Sequence, residues 1–149
     1  MPFEINRPLD AGLAGDISAY VAQADSVEPT TIIEADKDFK VHIKWHLEGD
    51  LTPFVCGYWC VSVFLESIGP GAELRLPDYP VELSLEPAPG RNEYVAWILV
   101  PAGTIKTEHC GIPYKLVSTV TYRTPRGRPG PMAGFVEGPV LQFYESDFS

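Results

Sequence analysis

Six residues of this chain have side chains suited to metal or thiol chemistry: His42, His46, His109, Cys56, Cys60 and Cys110. His42 and His46 are four apart. In a helix that spacing sets two imidazoles on one face, ready to share a zinc ion. Here the surrounding run, FKVHIKWHLE, alternates apolar and polar residues and reads as a strand. Residues four apart on a strand are separated by roughly 13 Å, whereas zinc holds its ligands at about 2.0–2.3 Å. One ion cannot bind both. A metal site would have to draw one residue from each of several strands, such as His46 with Cys56 or Cys60 if the second and third strands pair. The same spacing separates Cys56 from Cys60, because a disulfide needs Cα atoms within about 7 Å. The expectation is solvent-facing histidines, free thiols and no bound metal or cofactor, with a Cys60–Cys110 bridge as the alternative pairing.

Nucleophilic catalysis has little to build on. Cys110 directly follows His109, and adjacent side chains rarely point at each other. The chain has no Gly-x-Ser-x-Gly elbow, no cysteine-protease signature and no glycine loop ahead of a helix to cradle phosphate. The expectation is a non-catalytic chain. A metal- or cysteine-dependent enzyme with a site built across strands is the alternative.

Arg123 and the stretch Pro125-Arg126-Gly127-Arg128-Pro129 resemble the core of an AT-hook. In that motif an extended Arg-Gly-Arg lies in the narrow, electronegative minor groove of A·T-rich DNA. The net charge of −9 opposes such binding. The expectation is a solvated turn, with minor-groove contact through Arg123, Arg126 and Arg128 as a further alternative. The aromatics Tyr20, Tyr58, Phe64, Tyr79, Phe143 and Tyr144 are candidates for exposure. Exposed aromatics on a sheet face or edge would suggest a protein or carbohydrate contact.

The elements that must carry these residues are read from period-two runs bounded by turn residues. Strands are expected at residues 30–35, 39–48, 54–67, 81–86, 93–100, 114–123 and 135–144, the last interrupted at Gly138-Pro139. Phe39, Val41, Ile43, Trp45 and Leu47 form one inward row. Trp59, Val61, Val63 and Leu65 form another, and Tyr114, Leu116, Ser118, Val120 and Tyr122 a third. Trp45, Trp59 and Trp97 are all expected to be buried, with Leu116 near Trp59. Fifteen prolines and thirteen glycines lie scattered between the apolar runs and punctuate them as turns.

Seven such strands in 149 residues imply an all-β fold, an antiparallel seven-stranded β-sandwich. The order and spacing resemble a bacterial immunoglobulin-like or fibronectin type III-like domain. Three features carry the resemblance: Trp59 on the third strand, the Pro101-Ala102-Gly103 turn after the fifth, and Gly111-Ile112-Pro113-Tyr114-Lys115-Leu116. The last looks like a tyrosine corner, with Leu116 where antibody domains place their second cysteine. The resemblance implies a fold for residues 29–145 and no particular function.

Residues 1–28 read differently, as an acidic N-terminal arm ahead of a sandwich domain at 29–149. Over residues 1–36 seven acidic residues oppose Arg7 alone. Asp16 to Gln23 is expected to form one or two helical turns, with Ile17, Tyr20 and Val21 as apolar anchors on one helical face. That face would dock the sandwich to a partner, and the arm would be dispensable for folding. No basic-then-apolar start and no apolar run of about 18 residues predict a soluble cytoplasmic chain with no membrane contact. Taken together, the sequence predicts a protein-interaction or structural module that docks to another protein or to copies of itself.

Overall fold

The strand Phe39–Glu48 is the centre of a three-stranded sheet, and its alternation shows why. Phe39, Val41, Ile43, Trp45 and Leu47 are all buried, while the residues between them reach the other face. The fold is described here from a computed structural model covering residues 1–69, 73–107 and 111–146, with 77–80 described for backbone only. Nine strands follow in chain order: β1 Glu4–Ile5, β2 Ala14–Gln23, β3 Ile32–Glu34, β4 Phe39–Glu48, β5 Gly57–Ser67, β6 Leu74–Leu85, β7 Asn92–Val100, β8 Tyr114–Arg123 and β9 Pro129–Tyr144. The smaller sheet runs β2-β4-β7. The larger runs β1-β9-β8-β5-β6, with β3 pairing β9 in parallel. All other pairings are antiparallel. The apolar faces of the two sheets meet in one core, giving an all-β sandwich. Among the described residues, no helix is long and apolar enough to cross a membrane.

All seven expected strands form, residues 39–48 and 114–123 with the expected ends and the other five with shifted ones. β6 begins at Leu74, not Val81, and contains Pro77 and Pro80. It lies at a sheet edge, where a missing N–H costs no ladder bond. Its register against β5 jumps between Val61↔Val81 and Val63↔Leu76, so residues 77–80 form a bulge. β9 carries the expected interruption: Lys115 pairs with Val140 and Val117 with Glu137, which leaves Gly138-Pro139 as the bulge.

The N-terminal segment departs from expectation. Residues 14–23 form strand β2, not helical turns, and pair with β4 along its whole length, from Ala14↔Glu48 to Gln23↔Phe39. The sequence supports both periods: Ile17, Tyr20 and Val21 suit a helix, and Ile17, Ala19 and Val21 suit a strand. Pairing with β4 and burial of Ile17 and Val21 in the core decide for the strand. Earlier in the chain, Phe3 stands edge-on to Trp59 at 5.7 Å between ring centres. It fits there because Gly15 and Gly134 have no side chain. A Cβ at Gly134 would come within 2.3 Å of the Phe3 ring.

Two core expectations are corrected. Trp97 is not buried; it lies on the outer face of β7, while Ala96, Ile98 and Val100 point inward. Leu116 is buried but pairs with Leu65, and Trp59 pairs with Tyr122. Six residues of strand, roughly 20 Å, separate them. The ring of Trp59 instead meets Phe3, Trp45, Tyr94 and Tyr122.

Deleting residues 1–28 removes β2, Phe3 and the burial of Ile17 and Val21. The remainder is expected to lose its cooperative thermal transition; a cooperatively folded remainder would return the segment to the status of an arm. Ser118 is fully buried between Val63 and Val136, and its hydroxyl has no hydrogen-bond partner among the described residues. An unpaired buried hydroxyl destabilises a fold by about 1–3 kcal/mol. Ser118→Ala should therefore melt at or above the parent temperature, whereas a clear drop would mean that the hydroxyl has a partner.

Candidate functional site

The outer face of the β2-β4-β7 sheet carries the most distinctive surface in the molecule. Tyr20 pairs with His42 across β2 and β4, and His42 pairs with Trp97 across β4 and β7. Directly opposed residues share a face, so the three rings form one row across the whole sheet. Tyr20 and His42 are stacked at 4.6 Å, and His42 meets Trp97 at 4.3 Å with an interplanar angle of 61°. The Lys40 ammonium sits 4.6 Å from the centre of the Trp97 ring, a cation–π distance. Lys40 pairs with Leu99 and Lys44 with Val95. Val95, Trp97 and Leu99 are 47%, 46% and 62% exposed, so the edge strand shows an almost unbroken apolar outer row.

His42 is held below its ordinary value of 6.5, first by burial between the two rings and then by Lys44 and Lys40. At neutral pH the row is an uncharged aromatic strip flanked by two ammonium groups. Further along β4, His46 Nε2 lies 3.2 Å from Glu48 Oε1. The strip offers stacking and apolar contact plus two positive charges. It holds no nucleophile and no carboxylate pair.

The proposed metal set does not converge. Among the described residues no group of three His, Cys, Asp or Glu side chains could hold a metal ion. The second and third expected strands, now β4 and β5, lie in different sheets and do not pair. His46 is therefore on the outside of one sheet while Cys60 belongs to the other. Cys60 is a buried free thiol and Cys56 an exposed one. Burial pushes the Cys60 thiol up, against a weaker opposite pull from Arg123, and a raised thiol is a poor nucleophile. His109 and Cys110 lie outside the described residues, as does the alternative Cys60–Cys110 bridge.

The other sequence candidates are dispersed. Ile17 and Val21 point into the core, while Tyr20 joins the outer row, so the three do not share a face. Arg123 ends β8, and Arg126 and Arg128 sit in the hairpin before β9. That turn is folded back on itself: Thr124 N–H donates to the Arg128 carbonyl at 2.8 Å, and Gly127 N–H to the Thr124 carbonyl at 2.8 Å. Gly127 takes φ +78°, which glycine adopts without strain. The Arg-Gly-Arg backbone is thus a closed turn, not the extended form that lies along a groove. Of the aromatics expected outside, Tyr58 and Tyr144 are exposed, Tyr20 and Phe64 half-buried, and Phe143 buried against Phe39 and Tyr114. The Tyr79 side chain lies outside the described residues. An open groove of about 670 Å³ runs past Glu4, Tyr122, Arg123 and Phe135, but no histidine or cysteine lines it.

Sequence reasoning missed Trp97, Val95 and Leu99. Both rows of β7 are apolar, so alternation alone does not choose the inner one. Glu93 was the available signal: it stands in the same row as Val95, Trp97 and Leu99 and marks that row as outward.

No protein-family profile matches this chain, and no curated protein does. Among solved structures, the chain is similar to the X-ray structure of Northeast Structural Genomics Consortium target SoR45. The identity is 9%, with 95% of this chain and 92% of that chain covered, and the TM-score is 0.31.

The His42 environment gives a pH dependence. Below pH 6.5 the unfolded chain takes up a proton at His42 that the folded chain resists. Stability from this residue is therefore complete above 6.5 and is lost as pH falls from there through the lower folded value. His42→Gln should flatten that part of a melting-temperature profile taken across the acid range. An unchanged slope in the variant would show that His42 is no more shielded than a free imidazole.

Proposed function

We propose that this chain is a non-catalytic protein-interaction module, an immunoglobulin-like sandwich that presents its three-stranded sheet to another protein chain. One observation carries the reading: Val95, Trp97 and Leu99 form an exposed apolar row at the border of a sheet. Water-exposed apolar surface is destabilising unless something covers it, and contiguous exposed aromatics mark contact surfaces. Lys40 and Lys44 beside that row supply a polar rim of a kind common at interfaces.

The strand order supports the immunoglobulin-like part of the reading. In this reading β2, β4 and β7 would correspond to strands A, B and E of that fold. On the same reading β9, β8, β5 and β6 would correspond to G, F, C and C′. The buried Trp59 on β5 then falls on strand C, where such domains often bury a tryptophan.

Site-specific photo-crosslinking in the source cells tests the reading. A benzophenone side chain at position 99 should yield a protein adduct of defined mass. The same group at position 58, exposed on the outside of the other sheet, should not. Adducts from neither position, or equally from both, would remove the case for a dedicated face.

A further inference from the structure

A sandwich of two open sheets has four edges, and this chain guards three of them. The β2 edge is covered by its own N-terminal segment and the chain after it. Phe3 N–H donates to the Gly15 carbonyl at 2.9 Å, Ile17 N–H to the Met1 carbonyl at 2.9 Å and Thr30 N–H to the Val21 carbonyl at 2.8 Å. The outer side of β9 is met by two very short strands, β1 and β3. The β6 edge holds Pro77 and Pro80, a bulge, and the charges Arg75, Glu82 and Glu86 in or next to it. Prolines, charges, bulges and short strands are the usual protections of an exposed edge.

β7 has only Glu93 near its start and Pro101 just after its end, and nothing of this kind between them. Among the described residues it pairs with β4 alone, which leaves the backbone groups of its other side open along nine residues. From Tyr94 to Val100 it contains no charge, no proline and no glycine, and its pairing with β4 runs without a bulge from Asn92 to Val100. A long, regular, apolar edge of this kind is a template for another strand.

We infer that β7 pairs antiparallel with β7 of a second copy of this chain, joining the two small sheets into one continuous six-stranded sheet. The inference rests on the interaction-module reading and names its occupant. The argument for a second copy is self-complementarity. The charge-free run Tyr94–Val100 is centred on Trp97. A two-fold axis at Trp97 places Trp97 against Trp97 and each Val95 against the other copy's Leu99. It also places Tyr94 against Val100 and Ala96 against Ile98. Every residue of the run then meets another uncharged residue, and Glu93 falls opposite Pro101, outside the run. A two-fold contact of this type closes on itself and stops at a dimer.

Light scattering coupled to size-exclusion chromatography tests the pairing on the full chain. The parent should have dimer mass at concentrations on the order of 100 µM and dissociate on dilution. Two double variants at the exposed positions, V95K/L99K and V95E/L99E, should each be monomeric with melting temperatures close to the parent. Mixed together they should recover dimer mass, because each Lys then faces a Glu across the axis. A monomeric parent overturns the inference, as do double variants that stay dimeric or fail to recombine. If the purified parent is monomeric but position 99 still crosslinks to a different protein in cells, the pairing falls and the interaction module stands.

Discussion

Trp59 is fully buried, with the rings of Phe3, Trp45, Tyr94 and Tyr122 all within 6.2 Å of its own. These partners come from the N-terminal segment, β4, β7 and β8, so one side chain ties both sheets and the chain terminus together. Trp45 and Tyr94 are stacked at 5.7 Å and directly paired in register. That pairing settles which way β7 faces. A strand alternates strictly, and a slip by one residue would turn every side chain over. With Tyr94 held inward against the two tryptophans, Val95, Trp97 and Leu99 must point out. The exposed row is therefore a consequence of the core: the packing that stabilises the sandwich is what displays Trp97.

How far the sequence discloses this depends on how lopsided each strand is. β4 carries apolar residues in one row and Lys40, His42, Lys44, His46 and Glu48 in the other, so its inner face is unambiguous. Gly138-Pro139 likewise declares the bulge in β9, because neither residue sustains a regular ladder. β7 is apolar on both sides and gives only Glu93 as a guide. β2 satisfies a helical and a strand period at once, and what separates them is the ten-residue ladder with β4, whose partners lie 16 to 34 residues away in sequence. The Tyr20–His42–Trp97 row was unreadable for the same reason. It exists only through the registers of three strands, and in the sequence its members read as a helical anchor, a solvent-facing histidine and a core tryptophan.

The chemistry of that row follows from competition between two effects on His42. A protonated imidazole between two aromatic rings would gain cation–π attraction. Burial between those rings and the ammonium groups of Lys44 and Lys40 act the other way and hold His42 below its ordinary value. The outer face thus keeps two positive charges instead of three, and the aromatic strip between them stays neutral. Lys40 resolves a further conflict. Its ammonium lies over the Trp97 ring, 4.6 Å from the ring centre, and so covers part of one face of a half-exposed indole.

The distribution of edge protection gives this surface its direction. Most of the net charge of −9 sits in residues 1–36, while the run Tyr94–Val100 carries none. Elsewhere the fold closes its edges by several independent means, including hydrogen bonds from the N-terminus, two short strands and a proline-bearing bulge. Such means are redundant if the chain has no tendency to pair through its edges, and their presence on three edges makes their absence on the fourth informative. The bare edge and the bare apolar row also belong to the same strand. Backbone groups supply the attraction along β7, and Val95, Trp97 and Leu99 supply the side-chain complement above it. An open ladder without apolar neighbours would bind almost any strand weakly, and an apolar face without an open ladder would lack a register. β7 has both, and this combination lets an edge select a partner instead of merely tolerating one.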